Sequence, residues 1–398
     1  MPAAQVEQRA ALGQQPADRT LESGALELVA DAIVGLRGVR RSFLHSREAR
    51  PAMAQREPLT DTRKRCESSL RSNVGVRAAA LIACLGAAAA AGCGGSSDEL
   101  PPAPEPAKSP PTTKRPAGRV VEVGNKPEGL AFDTRTGLLA VGLAQPDRLA
   151  LVDGRSGRVV RRVRLGESPR HLQLAAPGGP VLVPAEKSNE LIEVSLPSGR
   201  ATSSRTGRFP HDAARADSRT FVADELADTV SVLEAGRRTE VLQAPVQPGA
   251  VEVTGDGRLL GAVGVRGRQL ELFDARTLRS LGRLNVGAGP THLVALGRSF
   301  FVVDTRGNSV LEVPVDPEPV VHRRTRVEGR PYGVAADRRR GRLWVTLTER
   351  NQLVELTTRR RLRVLPTVRQ PNTVAVDERS GRVFVTGKVD GTVQIIDP

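Results

Sequence analysis

The chain has 398 residues and carries 59 Lys and Arg against 44 Asp and Glu, a formal net charge of +15 at neutral pH. Such a basic excess makes nucleic acid a partner to consider, but one Trp and one Tyr leave little aromatic surface for base stacking. We therefore expect no nucleic-acid partner. The sequence contains no P-loop, Gly-x-Ser-x-Gly, His-Glu-x-x-His or EF-hand pattern, so these enzyme classes gain no support.

Residues 1–77 are rich in Ala and Arg and show no strand pattern. We interpret them as a disordered extension or an over-extended translation start, with Met53 as an alternative start. From Met53, the basic residues between positions 63 and 77 would form the positively charged region of a signal peptide.

Residues 78–93 join a short apolar stretch to a cysteine. The stretch, residues 78–92, is too short and too rich in Ala for a spanning helix. It ends in Ala90-Ala-Gly-Cys93, which resembles a bacterial lipobox, and that resemblance implies a lipid on the Cys93 thiol and an anchor on the extracytoplasmic face of the cell membrane. An ordinary signal peptide with a chance cysteine is the alternative. Cys66, Cys84 and Cys93 are the three cysteines, so residues beyond Cys93 hold no disulfide or Cys-based metal site.

Residues 94–118 are rich in Gly and Ser and then in Pro. Because this composition favours extended polyproline conformations at about 3.1 Å per residue, it predicts a tether that holds the following domain up to roughly 70 Å from the membrane.

From residue 119 onward, a proline recurs with successive spacings of 42, 41, 38, 42, 41 and 40 residues. The copies are followed by short runs with strand character, four in each complete unit, and four strands per unit of about 40 residues is typical of a propeller blade. The recurring prolines are Pro127, Pro169, Pro210, Pro248, Pro290, Pro331 and Pro371.

The two ends of the repeat region complement each other. The seventh unit stops after its third strand, whereas residues 119–123 have a fourth-strand sequence and precede the first proline. We therefore predict an all-β domain over residues 119–398, a seven-bladed β-propeller of four-stranded antiparallel blades. Strand 119–123 would join the last blade and close the ring, which removes open sheet edges, and we expect a monomer.

The repeats resemble the seven-bladed propellers of the YVTN repeat type. The Gly-x-x-Pro before the first strand, the Asp-x-x-x-Gly turn after it, and the Asp or Asn before the third strand carry the resemblance, and Leu343-Trp-Val-Thr346 and Val383-Phe-Val-Thr386 stand in place of the tetrapeptide. Since that family is found in bacterial and archaeal surface or periplasmic proteins, the resemblance implies a location outside the cytoplasm.

Candidate functional residues cluster just after the repeat prolines. In a four-stranded blade, the link that leads into the first strand lies on the same face as the loop between the second and third strands, around the channel mouth. Three of the five histidines lie within two residues of a repeat proline, and two of those blades also carry an Asp near the end of the second strand. A His beside a carboxylate can act as a general base or a metal ligand. The predicted ligand-binding residues are Glu128, His171, His211, Asp224, His292, Asp304 and Tyr332, and the candidate ligands of a divalent metal are His171, His211 and His292.

Two functions follow from this arrangement. The first is a lipid-anchored binding or scaffold protein that presents its channel mouth to a protein, a wall polymer or a small ligand. The second is an enzyme of the lyase or metal-assisted hydrolase type, because propellers of similar repeat type include lyases that open cyclic lactone antibiotics. A polar entrance lined with water, with no ligand, is the third interpretation of the same residues. No cofactor is predicted, apart from a divalent metal as a candidate.

Overall fold

The computed structural model describes residues 100–315 and 318–398. The predicted extension 1–77, the stretch 78–93 with Cys93, and residues 94–99 of the predicted tether lie outside the described residues.

The described residues form seven four-stranded antiparallel sheets. Strand β1 (Arg119–Glu122) precedes the first blade. The strands of blades 1 to 3 are β2 (Pro127–Asp133), β3 (Leu138–Leu143), β4 (Arg148–Asp153), β5 (Val159–Arg164); β6 (Gln173–Leu174), β7 (Val181–Ala185), β8 (Glu190–Val194), β9 (Ala201–Arg205); β10 (Pro210–Ala216), β11 (Arg219–Asp224), β12 (Thr229–Glu234) and β13 (Arg237–Gln243). Those of blades 4 and 5 are β14 (Pro248–Val253), β15 (Leu259–Gly264), β16 (Gln269–Asp274), β17 (Ser280–Asn285); β18 (Pro290–Leu296), β19 (Ser299–Asp304), β20 (Ser309–Pro314) and β21 (Arg323–Arg326). Those of blades 6 and 7 are β22 (Pro331–Asp337), β23 (Arg342–Leu347), β24 (Gln352–Leu356), β25 (Arg361–Pro366); β26 (Pro371–Val376), β27 (Val383–Gly387) and β28 (Thr392–Ile396), with a 3₁₀ turn at Thr348–Arg350.

The ring closes as the sequence predicts. Strand β1 pairs antiparallel with β28, and Arg119 lies opposite Ile395. The fourth strand of blade 7 therefore comes from the start of the domain and its other three strands come from the end, which joins the two ends of the propeller through one sheet.

The hydrophobic core is divided among the blade interfaces. Seven clusters of buried side chains occur in the described residues, and each combines residues of two neighbouring blades. At the interface that closes the ring, the rings of Phe132 and Phe384 stack with centroids 4.9 Å apart. The second and third strands are mostly buried because they lie between neighbouring blades, whereas the polar fourth strands, such as β13, are exposed.

Recurrent Asp and Asn residues fix both the turns and the joints between blades. In the turn after β2, Asp133 accepts hydrogen bonds from the amides of Arg135 and Thr136, and Gly137 has a φ of +71°. The Asn before a third strand has a different role: Asn308 Oδ1 accepts the amide of Arg330, at 2.9 Å, just before the first strand of the next blade. The same joint forms at Asn189 with Phe209, Asp228 with Gln247 and Asn351 with Gln370.

Residues 100–117, which we call the strap, lie along one face of the propeller. The guanidinium of Arg266 donates to the carbonyl of Leu100 at 2.9 Å, and that of Arg306 donates to the carbonyl of Pro102 at 2.6 Å. These contacts anchor the beginning of the strap on blades 4 and 5.

The middle of the strap is held on blades 6 and 7. The Ala107 amide donates to Thr348 Oγ1 at 3.1 Å, the Ser109 amide donates to Gln370 Oε1 at 2.9 Å, and Gln370 Nε2 donates to the Ala107 carbonyl at 2.8 Å. Pro104 and Ser109 are buried. Most of the predicted tether therefore packs on the propeller, because the polar side chains of four blades satisfy its main chain.

Within residues 100–315 and 318–398, we find no helix with the length and apolar character needed to cross a membrane.

Candidate functional site

The channel-facing residues are set by a β-bulge after the repeat prolines. In β10 the register shifts between Pro210 and Asp212, and the other first strands that begin at a repeat proline shift similarly. A bulge re-aims side chains that a regular strand would point to opposite faces. Consecutive residues such as His211 and Asp212 therefore both make contacts around the channel.

The three predicted histidines come together at this level. The ring of His171 lies 4.7 Å from the rings of both His211 and His292, and Tyr332 meets His292 edge-on at 4.6 Å. The Nε2 atoms of His171 and His292 are 3.3 Å apart, so one imidazole donates and the other accepts.

Two of these imidazoles are neutral at physiological pH. Burial and the neighbouring His292 and His211 hold the pKa of His171 well below its usual range. Burial and His211 lower the pKa of His292 to about 3. The pair is therefore a weak base, suited to hydrogen bonding rather than to proton abstraction.

His211 has the opposite character because two carboxylates face it. Its Nδ1 lies 2.9 Å from Glu186 Oε1 and 3.2 Å from Glu225 Oε2. Burial disfavours the imidazolium, but the hydrogen bonds to Glu186 and Glu225 raise the pKa of His211 to about 9. Among the described residues, Glu186, His211 and Glu225 are the group whose ligand atoms lie close enough together, within 4.8 Å, to hold a metal ion.

This result changes the predicted metal ligands. His171 and His292 do not belong to that group. His211 is instead grouped with two carboxylates, Glu186 of blade 2 and Glu225 of blade 3.

A belt of ion pairs continues from this cluster around the mouth. The Arg170 Nε lies 3.5 Å from Glu128 Oε2 and 3.6 Å from Glu186 Oε1, and Glu128 also pairs with Lys388. Burial disfavours the charge on Arg170, but Glu128 and Glu186 raise its pKa. The belt links blades 7, 1, 2 and 3, and it includes Glu128, one of the predicted site residues.

Asp224 and Asp304 lie elsewhere and stabilise the fold. Asp224 accepts the Gly207 amide at 2.9 Å and the Ser231 hydroxyl at 2.6 Å, and Asp304 accepts the Gly289 amide at 2.8 Å. Both carboxylates are fully buried in these contacts. The predicted pairing of each Asp with the His of its own blade is therefore replaced by the pairing of His211 with Glu186 and Glu225.

The carboxylates that the sequence analysis missed lie one residue further along the same repeat. The position directly after Asp224 and its equivalents contains both of them, together with the lysine of the belt. Its occupants are Ala144, Glu186, Glu225, Val265, Thr305, Thr348 and Lys388.

The strap covers the mouth formed by these residues. Pro104, Glu105 and Pro106 line two small voids above the histidines, of about 30 and 50 Å³. Spaces of this size suit one or two water molecules. In this structure the strap therefore closes the predicted mouth to any ligand larger than a few water molecules.

Below the histidines the channel widens into a cavity of about 870 Å³. It is lined by the residue four positions after each repeat proline, and small side chains at most of these positions leave the space open. These seven residues are Ala131, Gln173, Ala214, Glu252, Val294, Ala335 and Ala375. His171 and His292 form the end of the cavity nearest the strap.

Two buried carboxyl groups lie in the cavity wall. Asp212 accepts hydrogen bonds from the amides of Ala213 and Val251, at 2.9 and 3.1 Å, and from Gln173 Nε2 at 3.2 Å. Burial raises the pKa of Asp212 to about 7, and burial likewise raises the pKa of Glu252 to about 7. Asp212 ties blades 2, 3 and 4 together, and Glu252 is the carboxyl group left for a partner across the channel.

That partner is Arg338, in the turn after the first strand of blade 6. Its guanidinium lies 3.0 Å from Glu252 of blade 4 and 2.9 Å from Glu378 of blade 7. Sequence reasoning missed this bridge because Arg338 lies seven residues after its repeat proline, in a turn that the blade pattern assigns to the face away from the histidines.

Similar solved structures identify the fold. A structure titled Kuenenia stuttgartiensis hydrazine synthase is 14% identical with a TM-score of 0.57 and covers 70% of this chain and 97% of its own. A streptogramin B lyase is 13% identical with a TM-score of 0.59 and coverages of 70% and 96%. The β-propeller domain of Cps50 (Swd1) from Myceliophteria thermophila is 16% identical with a TM-score of 0.60 and coverages of 70% and 98%.

At these identities the similarity shows the propeller fold alone, and a fold does not determine a function. No protein-family model matches the chain, and no curated protein matches it.

Proposed function

We propose that this protein is a membrane-anchored, extracytoplasmic propeller of the YVTN type that binds a small molecule in its central cavity. The cavity carries the proposal. Its volume of about 870 Å³ lies within the range of small-molecule sites, roughly 300–1,000 Å³. Its wall joins apolar side chains to a few polar groups, the buried imidazole of His292, the half-buried imidazole of His171 and the buried carboxyl of Glu252.

The face that carries the ligand is the one opposite the strap. The strap reduces the mouth on its own side to two small voids, whereas the large cavity reaches exposed residues in the turns after the first strands, such as Thr134 and Gly255. This arrangement favours a small ligand over a protein or polymer docked at the histidine mouth.

Binding in the cavity is tested with N-phenyl-1-naphthylamine, an uncharged dye, on the full chain in detergent. Trp344 is the single Trp of the chain, so dye emission excited through Trp344 reports dye at the propeller rather than in micelles. We expect the cavity-filling variant Val294→Phe/Ala335→Phe to weaken dye binding about tenfold or more, because the two added rings occupy space that the dye needs. A tenfold loss of affinity corresponds to about 1.4 kcal/mol. Ala201→Phe, on the exposed strand β9, is the matched control. Equal binding by all three proteins would refute the cavity as the site.

The anchor rests on the sequence of residues 78–93 and has its own test. Metabolic labelling with an alkyne fatty acid should modify the wild type and Cys84→Ser, but not Cys93→Ser. Label retained by Cys93→Ser would refute lipidation at Cys93.

A second candidate function, metal-assisted hydrolase or lyase chemistry, is favoured by the group of Glu186, His211 and Glu225. These residues would supply one imidazole and two carboxylates, a ligand set that suits Zn²⁺ or Mn²⁺. A bound divalent ion would polarise a substrate carbonyl or activate water, and the strap would have to leave the mouth first. Since a ligand of the native state alone raises its stability, saturating Zn²⁺ should raise the melting temperature of the wild type but not of Glu186→Gln/Glu225→Gln. No shift in the wild type excludes this candidate.

A further inference from the structure

The opening of the central cavity is rich in arginine. The exposed residues that line the cavity all belong to the turns that follow the first strands, on the face opposite the strap. Arg338 and Arg339 of blade 6 and Arg379 of blade 7 belong to this set. A ligand that reaches the cavity from this face therefore passes three guanidinium groups.

Two of these guanidinium groups have no partner. Arg338 is bound to Glu252 and Glu378, two of the carboxylates of the cavity lining. Within the described residues, the guanidinium groups of Arg339 and Arg379 have neither a hydrogen bond nor an ion pair, and both residues are exposed. The opening thus presents unpaired positive charge next to one bridged arginine.

The inner part of the cavity has no such positive charge. Four alanines, Val294, Gln173 and Glu252 line it at the level four residues after the repeat prolines, where Arg338 binds the carboxyl of Glu252, and His171 and His292 line its end. Asp212 already accepts hydrogen bonds from the amides of Ala213 and Val251 and from Gln173, so its carboxyl is engaged within the wall. The inner cavity therefore suits an uncharged body.

We propose that the cavity takes a ligand with an anionic group, a carboxylate, sulfonate or phosphate, at one end of an uncharged body. The anionic group of the ligand binds Arg339 and Arg379. Arg338 then leaves the carboxylate of Glu252 and binds the same anionic group. This inference rests on the proposed function and adds the class of ligand. Guanidinium groups match the geometry of such oxyanions with paired N–H donors.

The test compares two dyes that differ by one charge. N-phenyl-1-naphthylamine is the uncharged body, and 8-anilinonaphthalene-1-sulfonate is the same body with a sulfonate. Both are titrated into the full chain and are detected by energy transfer from Trp344. We expect the sulfonate dye to bind at least tenfold more tightly and its advantage to shrink with added salt, as screening predicts.

Three variants locate the effect. Arg339→Ala/Arg379→Ala should remove most of the advantage of the sulfonate dye and leave the uncharged dye unchanged. Arg359→Ala/Arg360→Ala is the matched control and should bind both dyes like the wild type. It removes two exposed arginines from the outer hairpin of blade 6, and the part of the chain that the structure describes offers their guanidinium groups no hydrogen bond or ion pair. Glu252→Gln removes one of the two carboxylates that bind Arg338 and should tighten binding of the sulfonate dye about threefold or more, because Arg338 then has only Glu378 competing with the dye for its guanidinium.

The outcomes separate the two proposals. If the uncharged dye binds and the sulfonate dye binds no more tightly, the cavity proposal stands and the anion proposal is overturned. If the sulfonate advantage persists in Arg339→Ala/Arg379→Ala, the anion proposal is also overturned, since the charge responsible lies elsewhere. If neither dye transfers energy from Trp344, both proposals fail together. Arg339 and Arg379 are exposed and unpaired, so their variant is expected to fold, and its melting temperature checks this.

Discussion

The guanidinium of Arg338 in blade 6 lies 3.0 Å from the carboxylate of Glu252 in blade 4, across the central channel and with a whole blade between them. The same guanidinium binds Glu378 of blade 7. This bridge crosses the channel on the side opposite the strap, which closes the other end. The strap therefore covers one end of the channel, and a single side-chain bridge crosses the channel toward its open end.

The buried Glu252 should make stability depend on pH. Its pKa in the folded protein is about 7, above the ordinary value of 4.5, so the folded state holds a proton that the unfolded state has lost between these values. The free energy of unfolding is therefore expected to fall as pH rises from about 4.5 to about 8, and the contribution of Glu252 to this fall is at most about 3.5 kcal/mol. Glu252→Gln should remove it. Urea denaturation of wild type and variant at several pH values measures the difference, and parallel curves would contradict the prediction.

Removing the polar side chain at a joint between blades should destabilise the protein, even where that side chain is only half-buried, as at Asn308. Asn308→Ala removes the acceptor of the Arg330 amide at the joint of blades 5 and 6. It should lower the free energy of unfolding by about 1–2 kcal/mol, as measured by chemical denaturation. Asn285→Ala, on the exposed outer strand β17, is the control and should change stability by less than about 0.5 kcal/mol. Equal effects would show that the joint is unimportant.

The strap should resist trypsin at Lys108. The amide of Ser109, which belongs to the scissile bond, donates to Gln370. On the other side of Lys108, the Ala107 amide donates to Thr348 and the Ala107 carbonyl accepts from Gln370. Thr348→Val/Gln370→Leu should speed cleavage after Lys108 about tenfold, because a loss of roughly 1.4 kcal/mol raises the population of the released strap tenfold. Time-resolved mass spectrometry of the peptides measures the rate. Thr277→Val, at an exposed turn, is the control, and an unchanged rate in the double variant would show that other contacts hold the strap.

The ion-pair belt should help to hold the ring closed. Glu128 of blade 1 pairs with Lys388 of blade 7 and with Arg170 of blade 2. Glu128→Gln should cost about 1–2 kcal/mol, since the pair is partly buried, and the cost should shrink at high salt. Glu122→Gln, at an exposed position of β1, is the matched control. Melting curves at low and high salt decide, and a salt-independent loss would assign the effect to packing instead.

The sequence by itself determined the ring. Local sequence features predict it: the proline period, the strand runs of each unit and the spare strand at 119–123. Each unit needs its neighbours to bury its two faces, so the units must pack side by side. The same period predicted that His171, His211 and His292 lie at the channel mouth, one or two residues after their repeat prolines, whereas their ring contacts between blades 2, 3 and 5 are a finding of the structure. The alanines four residues after the prolines could have predicted the cavity by the same reasoning.

Only the tertiary structure decided which side chains meet. The bulge after the proline turns consecutive residues toward the channel, so His211 takes Glu186 and Glu225 as partners instead of Asp224, which binds its own turn. The strap and the Arg338 bridge join residues that lie far apart along the chain, up to 263 positions for Ala107 and Gln370. A period of about 40 residues describes the features that all blades share. These contacts depend instead on residues that differ from blade to blade, and such residues become neighbours only when the ring has formed.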